Sequence, residues 1–480
     1  MIELTLAELA RIVDGTVAHA TGDTVVSGGV EFDSRKIGPG DVFLALPGER
    51  VDGHQFVPAA LRAGAVAAIV TRAVPAPSVQ VRDGLAALAA LAAAVLRRLP
   101  DCTVIGVTGS SGKTSTKDLL AALLGPSGAT VAPRGSFNNE LGHPYTVLKA
   151  DRSTRFLVLE NSARGIGHIR YLTDIAPPRI GVVLNVGTAH LGVFGSREAI
   201  AQAKGELVEA LPADGVAVLN VDDPLVANMA ARTAARVVSF GTTPDAQVRA
   251  VDASLDAIGR ARFTLVAPGG TAPVRLRLVG SHHVSNALAA AAAALECGVP
   301  LADVANRLST AAATSRWRME LTERADGVLV VNDAYNANPE SMRAALETLA
   351  SIAAERPTAR SYAVLGHMAE LGTHAAAAHE ELGRAVARLE LTEVLAVGAE
   401  ARPICRGVAE AGTCTRCRSV PDVEAAVAVL RAELAPGDLV LVKASRAAGL
   451  ERVAAAIAAG PAGEQEPRSA ARIAGFGGAS

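Results

Sequence analysis

Between Thr103 and Leu124 an apolar run, Val104-Ile105-Gly106-Val107, gives way to Thr108-Gly109-Ser110-Ser111-Gly112-Lys113-Thr114 and then to a helical segment from Ser115. Strand, glycine loop and helix in that order commit a chain to a parallel sheet, because the helix must carry it back across the sheet before another strand can pair. The pattern continues: Phe156–Leu159, Ile180–Leu184 and Gly215–Leu219 read as buried strands separated by helical stretches. The loop itself has the make-up of a phosphate cradle. Glycines let backbone N–H groups converge on oxygens, a lysine reaches the β- and γ-phosphates, and a following hydroxyl can bind Mg2+. The usual spacing puts a glycine where Val107 stands, and Gly106 comes one residue too early. ATP is therefore expected on a variant loop built from Gly109, Ser110, Ser111, Gly112, Lys113, Thr114 and Ser115; a glycine turn with an incidental lysine is the alternative.

A second constraint is a lysine out of place. Residues 196–211 read as an amphipathic helix with Ser196 as N-cap and Glu198 in its first turn. Its apolar stripe runs Ile200, Ala203, Leu207, Val208, Leu211, and Lys204 falls inside it. A buried ammonium either pairs its charge or gives way to the neutral amine. Of the 46 basic residues only six are lysines (Lys36, Lys113, Lys117, Lys149, Lys204 and Lys443). Where arginine serves as the ordinary cation, a surviving lysine marks a place that guanidinium cannot fill.

At 480 residues the chain exceeds one ordinary core. The expected domains are 1–100, 101–316 and 317–460, with a Gly-, Pro- and Ala-rich tail over 461–480 expected to be disordered. Residues 245–279 alternate apolar and polar around Pro268-Gly269-Gly270, which predicts antiparallel hairpins attached to the central sheet; an alanine-rich helix, Asn286 to Cys297, follows. Beyond Arg316-Trp317-Arg318-Met319 a second α/β block begins, with strands at Val328–Val331, Ala363–Leu365, Val394–Val397 and Leu439–Val442 and Rossmann-like winding. The net charge of −2 provides no field for nucleic acid or an anionic membrane. No basic leader opens the chain, and the apolar stretch Leu85–Leu96 is too short to span a bilayer, so a soluble, cytoplasmic protein is expected; a monomer is expected too, though no feature of the sequence sets the oligomeric state. The five cysteines suggest no disulfide framework, and Cys414-Thr415-Arg416-Cys417 lacks the second pair a zinc site needs.

The loop variant, together with Lys204 in Ala203-Lys204-Gly205-Glu206, resembles the Mur ligase family, the ATP-dependent amide-bond ligases of peptidoglycan precursor synthesis. Other pieces follow in order. Asp33-Ser34-Arg35, Pro39-Gly40-Asp41-Val42-Phe43 and Asp52-Gly53-His54 are similar to the nucleotide-sugar-binding N-terminal domain. Asn138-Asn139-Glu140-Leu141-Gly142-His143-Pro144 resembles the loop after the phosphate-binding helix, and Asn185-Val186-Gly187-Thr188-Ala189-His190-Leu191 the metal-histidine segment. Asn332-Asp333-Ala334-Tyr335-Asn336-Ala337-Asn338-Pro339 resembles the start of the C-terminal domain in the member that adds a dipeptide.

The resemblance implies three α/β domains: a small nucleotide-sugar domain, a central ATPase-like parallel sheet with attached β hairpins, and a Rossmann-like C-terminal domain. It implies that ATP phosphorylates the terminal carboxylate of UDP-MurNAc-tripeptide and that the amine of D-Ala-D-Ala attacks the acyl phosphate. Lys113, Glu160, His190 and Lys204 would form the catalytic group. Two Mg2+ ions would be held by Thr114, Glu160, His190 and a carbamylated Lys204. Asn286, Arg318, Asp333, Asn336 and Asn338 would add nucleotide contacts, and Ser34, Arg35, Asn138, Asn139, Lys443, Ser445 and Arg446 would face substrate. Read from residue type alone, Glu160 is a capping carboxylate, His190 a core histidine, Lys204 half of a buried ion pair and the asparagine run a turn. The chain departs from the family at Asn161-Ser162, where an apolar residue and glycine are usual, and at His283, where asparagine is usual. The alternatives are a ligase of the same or the folylpolyglutamate type that adds another amino acid, and a catalytically silent ATP-binding homologue.

Overall fold

A computed structural model describes residues 1–48, 51–133, 135–188 and 191–460. The expectations for His190 and for the tail 461–480 lie outside the described residues. The chain divides into two compact units. The first is Met1–Arg318 with Asn338–Ala344 and Ala369–Ala375; the second is Met319–Ala337, Ala345–Met368 and the residues from Ala376 onward.

The first unit is organised by a nine-stranded sheet. Six neighbouring strands, Thr130–Val131, Phe156–Glu160, Thr103–Thr108, Ile180–Val183, Val216–Asn220 and Arg236–Gly241, run parallel; Val248–Leu255 joins them in parallel and continues into antiparallel Arg260–Ala267 and Gly270–Val279. The hairpins expected from 245–279 are therefore present and extend the central sheet. Thr103–Thr108 lies mid-sheet, flanked by Phe156–Glu160 and Ile180–Val183, so the loops leaving three adjacent parallel strands converge at one carboxyl edge. The helix Lys113–Leu124 buries Leu119, Leu120, Leu123 and Leu124. The helix His283–Glu296 packs beside it through alanines 0% exposed from Ala287 to Ala294, apart from Leu288, also 0%. Alanine brings a helix backbone close to its neighbours while keeping the best helix propensity. A fully buried leucine contributes about 1.5–3 kcal/mol, so the leucine face carries most of this helix's stabilisation.

Residues of the N-terminal region form a five-stranded sheet ordered Thr16–Ala18, Ser78–Gln80, Ala67–Val70, Val42–Leu44, Val30–Glu31, antiparallel only at its first pair. The second unit holds a six-stranded sheet ordered Glu320–Glu323, Leu329–Asp333, Leu439–Lys443, Ser361–Leu365, Glu393–Val397, Arg416–Val420, parallel except for its first strand. Cys405, on the helix Pro403–Ala411, is bonded to Cys417 on the edge strand, while Cys414 in the connection between them stays free. This bridge corrects the reading of the cysteines as unpaired by pattern: helix and strand bring residues 405 and 417 to a Cα separation of 5.3 Å, which spacing alone does not reveal. Among the described residues no helix is long and apolar enough to cross a membrane.

Candidate active site

The phosphate-type loop is held from three sides. Gly112 adopts φ 83°, and a Cβ there would overlap Asn286 Oδ1, from the alanine-rich helix. Asn185, which follows the neighbouring strand, grips the loop. Its carbonyl accepts the Ser110 N–H (3.1 Å) and its Oδ1 the Ser111 N–H (2.9 Å), while its Nδ2 donates to the Ser111 carbonyl (3.2 Å). The Gly187 N–H donates to Ser110 Oγ (2.9 Å), and Asn338, grouped with the first unit, donates from Nδ2 to the Ser110 carbonyl (3.4 Å). Lys113 is the first residue of the following helix and folds its Nζ onto the Gly109 carbonyl at 2.6 Å. Burial lowers the Lys113 pKa, Glu160 pulls it back up and Arg318 lowers it further.

A second chain of contacts crosses the same edge. Thr114 Oγ1 lies 3.4 Å from Ser136 Oγ, and Asn138 Nδ2 donates to both Ser136 Oγ and Glu160 Oε2, each at 3.3 Å. Glu160 is 0% exposed, and its Oε1 has no hydrogen-bond partner among the described residues. A buried carboxylate oxygen without a donor has the chemistry to suit a hard divalent cation. Among the described residues no group of three or more His, Cys, Asp or Glu could by itself hold a metal ion. At the two departures after Glu160, Thr108 Oγ1 donates to the Asn161 carbonyl at 2.8 Å, and Ser162 is not among the residues with positive φ, so its backbone does not require glycine.

Lys204 sits as its helix pattern foretold. The helix is Arg197–Glu209, and Ser196 Oγ caps it by accepting the Ala199 N–H at 3.1 Å. Ile200, Ala203, Leu207 and Val208 are buried on the same stripe, and Lys204 is 5% exposed. Neither a hydrogen bond nor an ion pair to Lys204 is made by any described residue. Its neighbour Glu206 is committed elsewhere, accepting the Gly167 and Arg170 N–H groups at 2.5 and 3.0 Å. Burial, reinforced by the charge of Lys113, holds Lys204 well below the usual lysine range. The ion-pair reading therefore fails within the described residues, and the neutral amine is favoured.

The remaining expected residues divide into two groups. Asn286 backs the phosphate loop, with His283 Nδ1 3.4 Å from its Nδ2; burial, then His282 and Arg318, depress His283 strongly. Arg35 is exposed and forks onto Asp33 at 2.8 and 2.9 Å, holding that carboxyl down at about 2. Asn139 Oδ1 accepts the Gly142 N–H at 2.9 Å. In the second unit Lys443, 2% exposed, donates to Asp333 Oδ2 (2.6 Å) and to the Asn336 carbonyl (2.9 Å); it is a buried partner there and not a free cation. Arg446 pairs with Glu451 at 2.7 Å, and the Ser445 N–H donates to the His367 carbonyl at 3.1 Å. Two participants, Asn185 and Ser136, had no role assigned from sequence. The position of Asn185 directly after a parallel strand was the available signal; Ser136 gave none.

Comparison with known proteins is consistent across the chain. Residues 28–95 match the Mur ligase family catalytic domain, 107–294 the Mur ligase middle domain and 317–446 the Mur ligase glutamate ligase domain. The UDP-N-acetylmuramoyl-tripeptide–D-alanyl-D-alanine ligase of Mycobacterium tuberculosis (strain ATCC 25618 / H37Rv) is 52% identical over 502 residues, covering 96% of this chain and 98% of that protein. The enzyme of the same name from Escherichia coli (strain K12) is 34% identical, covering 95% and 99%. Among solved structures, MurF from Acinetobacter baumannii superposes with TM-score 0.85 at 32% identity, covering 95% of this chain and 99% of that one. The MurF ligase from Thermotoga maritima in complex with ADP gives TM-score 0.78 at 32% identity, covering 90% and 97%.

Proposed function

The chain belongs to the Mur ligase family, with its three-domain α/β architecture, and from that premise we propose that it joins D-alanyl-D-alanine to UDP-N-acetylmuramoyl-tripeptide at the expense of ATP. The observation that carries this reading is the loop with Lys113 beside a buried Glu160 whose Oε1 has no partner among the described residues, together with a buried helical Lys204 that pairs with none of them. The domain limits are proposed as 1–100 for the nucleotide-sugar, 101–316 for ATP and 317–460 for the C-terminal domain.

In the proposed reaction a carboxylate oxygen of the tripeptide attacks the γ-phosphorus and ADP departs. The amine of D-Ala-D-Ala then attacks the acyl carbon, phosphate leaves and the nitrogen loses a proton. Gly109–Ser115 would cradle the phosphates, and Lys113 would leave the Gly109 carbonyl to meet charge growing on the transferred phosphoryl. Thr114 and Glu160, with His190, supply donors of the kind Mg2+ takes; bound there, the metal would neutralise phosphoryl oxygens. Lys204 would complete the set as a carbamate: its amine lone pair attacks the carbon of CO2, an N–C bond forms, and one proton is released, leaving an anionic oxygen ligand. Asn286 would act by holding the loop, and Arg318 from the phosphate side. Asp333, Asn336 and Asn338 would contact the nucleotide, Lys443 serving to fix Asp333. Ser34, Arg35, Asn138, Asn139, Ser445 and Arg446 would face substrate. A cytoplasmic location, a monomeric state and small-molecule substrates complete the proposal.

The test is phosphate release with ATP, Mg2+ and UDP-MurNAc-tripeptide, offered D-Ala-D-Ala or single amino acids. Release that depends on the dipeptide is the expected result; turnover with a single amino acid alone, or with none, would remove the assignment.

A further inference from the structure

We propose that Arg232 is a positioning residue for Lys204, acting through a notch in the helix that carries it; the proposal rests on the catalytic role assigned to Lys204 above. The sequence states the problem first. Gly205 stands in the interior of Arg197–Glu209, where glycine costs about 1 kcal/mol relative to alanine, and its φ is not positive, so no turn demands it. The missing side chain is used from outside. A Cβ on Gly205 would overlap the Arg232 guanidinium, which fills the space against the helix backbone.

From that notch Arg232 spreads its donors along the helix. Nη1 donates to the Ala201 carbonyl (3.1 Å), Nη2 to the Gln202 carbonyl (2.8 Å), and Nε and Nη2 to Glu209 Oε1 (3.1 and 2.8 Å). Glu209 Oε2 in turn accepts from Arg170 at 3.1 Å, on the neighbouring helix His168–Ile175. These contacts lie on the flank next to the Lys204 stripe: Gln202 and Glu209 there are exposed, whereas Ala201 and Gly205 are buried, Gly205 beneath the guanidinium. Two backbone carbonyls, one carboxylate and a close-fitting notch leave the helix little freedom to roll or slide. The depth of Lys204, and its place within the field of Lys113, follow from that restraint. Lysine at 232 could make one such bond but not the planar fork.

The test compares Arg232→Ala, Arg232→Lys, Gly205→Ala and the double variant Gly205→Ala/Arg232→Ala in the full chain. The readouts are kcat, the Mg2+ concentration for half-maximal rate, melting temperature, and carbamate at Lys204, trapped by O-alkylation in 13CO2-equilibrated buffer and read by mass spectrometry. Arg232→Ala is expected to lower kcat on the order of tenfold or more, since small misplacements of catalytic groups cost that much, and to raise the Mg2+ requirement and reduce trapped carbamate. Arg232→Lys should not rescue. In the double variant the alanine methyl fills the notch, so the melting temperature should recover while kcat and Mg2+ dependence do not. Wild-type kcat and Mg2+ dependence in Arg232→Ala would overturn the proposal, and so would full recovery in the double variant, which would reduce Arg232 to packing. No carbamate in the wild-type chain would count against carbamylation itself; the kcat and Mg2+ arms still decide the role of Arg232.

Discussion

Asn286 occupies the space that a side chain on Gly112 would need: its Oδ1 faces the glycine's Cα, and Gly112 holds φ 83° above it. The phosphate loop is thereby seated on the alanine-rich helix, whose own close approach depends on small residues. Gly112→Ala meets both obstacles, a left-handed backbone costing about 1–2 kcal/mol for a non-glycine residue and an overlap with a buried amide. The expected outcome is a loss of ATP-analogue affinity of about tenfold or more, measured by calorimetric titration, with far-UV circular dichroism unchanged. Unaltered affinity would show that the loop does not depend on this seat.

Lys113→Ala should reduce ligation by about a thousandfold or more, because a phosphoryl transition state loses its nearest fixed cation. Activity within tenfold of wild type in a single-turnover assay would remove Lys113 from the phosphates.

His143 is 0% exposed, neither ring nitrogen has a partner among the described residues, and burial pushes its pKa down to about 3 from 6.5. Between those values the unfolded chain binds the proton and the folded chain does not, so this residue makes stability fall as pH drops from 6.5 toward 3, by about 1.4 kcal/mol per unit. Urea unfolding of His143→Leu should lose about 1–2 kcal/mol less than wild type between pH 7 and pH 5. Parallel pH dependences would mean that His143 is protonated inside the fold.

The parts of the fold legible in sequence were those written locally. Phe156–Glu160, Ile180–Val183 and Leu439–Lys443 are buried on both faces of a parallel sheet and appear as continuous apolar runs, readable without knowing their neighbours. Glu320–Glu323 and Arg416–Val420 were not anticipated, because edge strands carry charge and depend on a partner for their definition. The site divides the same way. Gly109–Thr114 and the Lys204 stripe are single segments with their own periodicity. The grip of Asn185 on Ser110 and Ser111 joins residues 74 positions apart in its side-chain bonds, and the Asn138–Glu160 bond spans 22. No local pattern encodes either. Lys443, expected from the resemblance to face substrate, makes another bond that no local pattern encodes: its partner Asp333 lies 110 residues upstream.

Lys443 and Asp333 form a pair 2% and 14% exposed in their side chains. Lys443→Met should destabilise the second unit by about 3 kcal/mol by leaving a carboxylate buried without its cation, whereas Lys443→Met/Asp333→Asn should recover most of that loss. Denaturant titration followed by tyrosine fluorescence reads both. Equal costs for the single and double variants would place the stabilisation in packing and not in the pair.

Lys204 is proposed to work as the anionic carbamate formed from its neutral amine, a ligand that an arginine cannot imitate and a carboxylate can in part. The direct measurement is the rate of ADP formation with UDP-MurNAc-tripeptide, D-Ala-D-Ala, ATP and Mg2+ for wild type, Lys204→Arg and Lys204→Glu in bicarbonate-containing buffer. Lys204→Arg is expected to fall by about a hundredfold or more despite its preserved charge, with Lys204→Glu retaining the larger residual rate. A Lys204→Arg enzyme turning over at the wild-type rate would contradict the account.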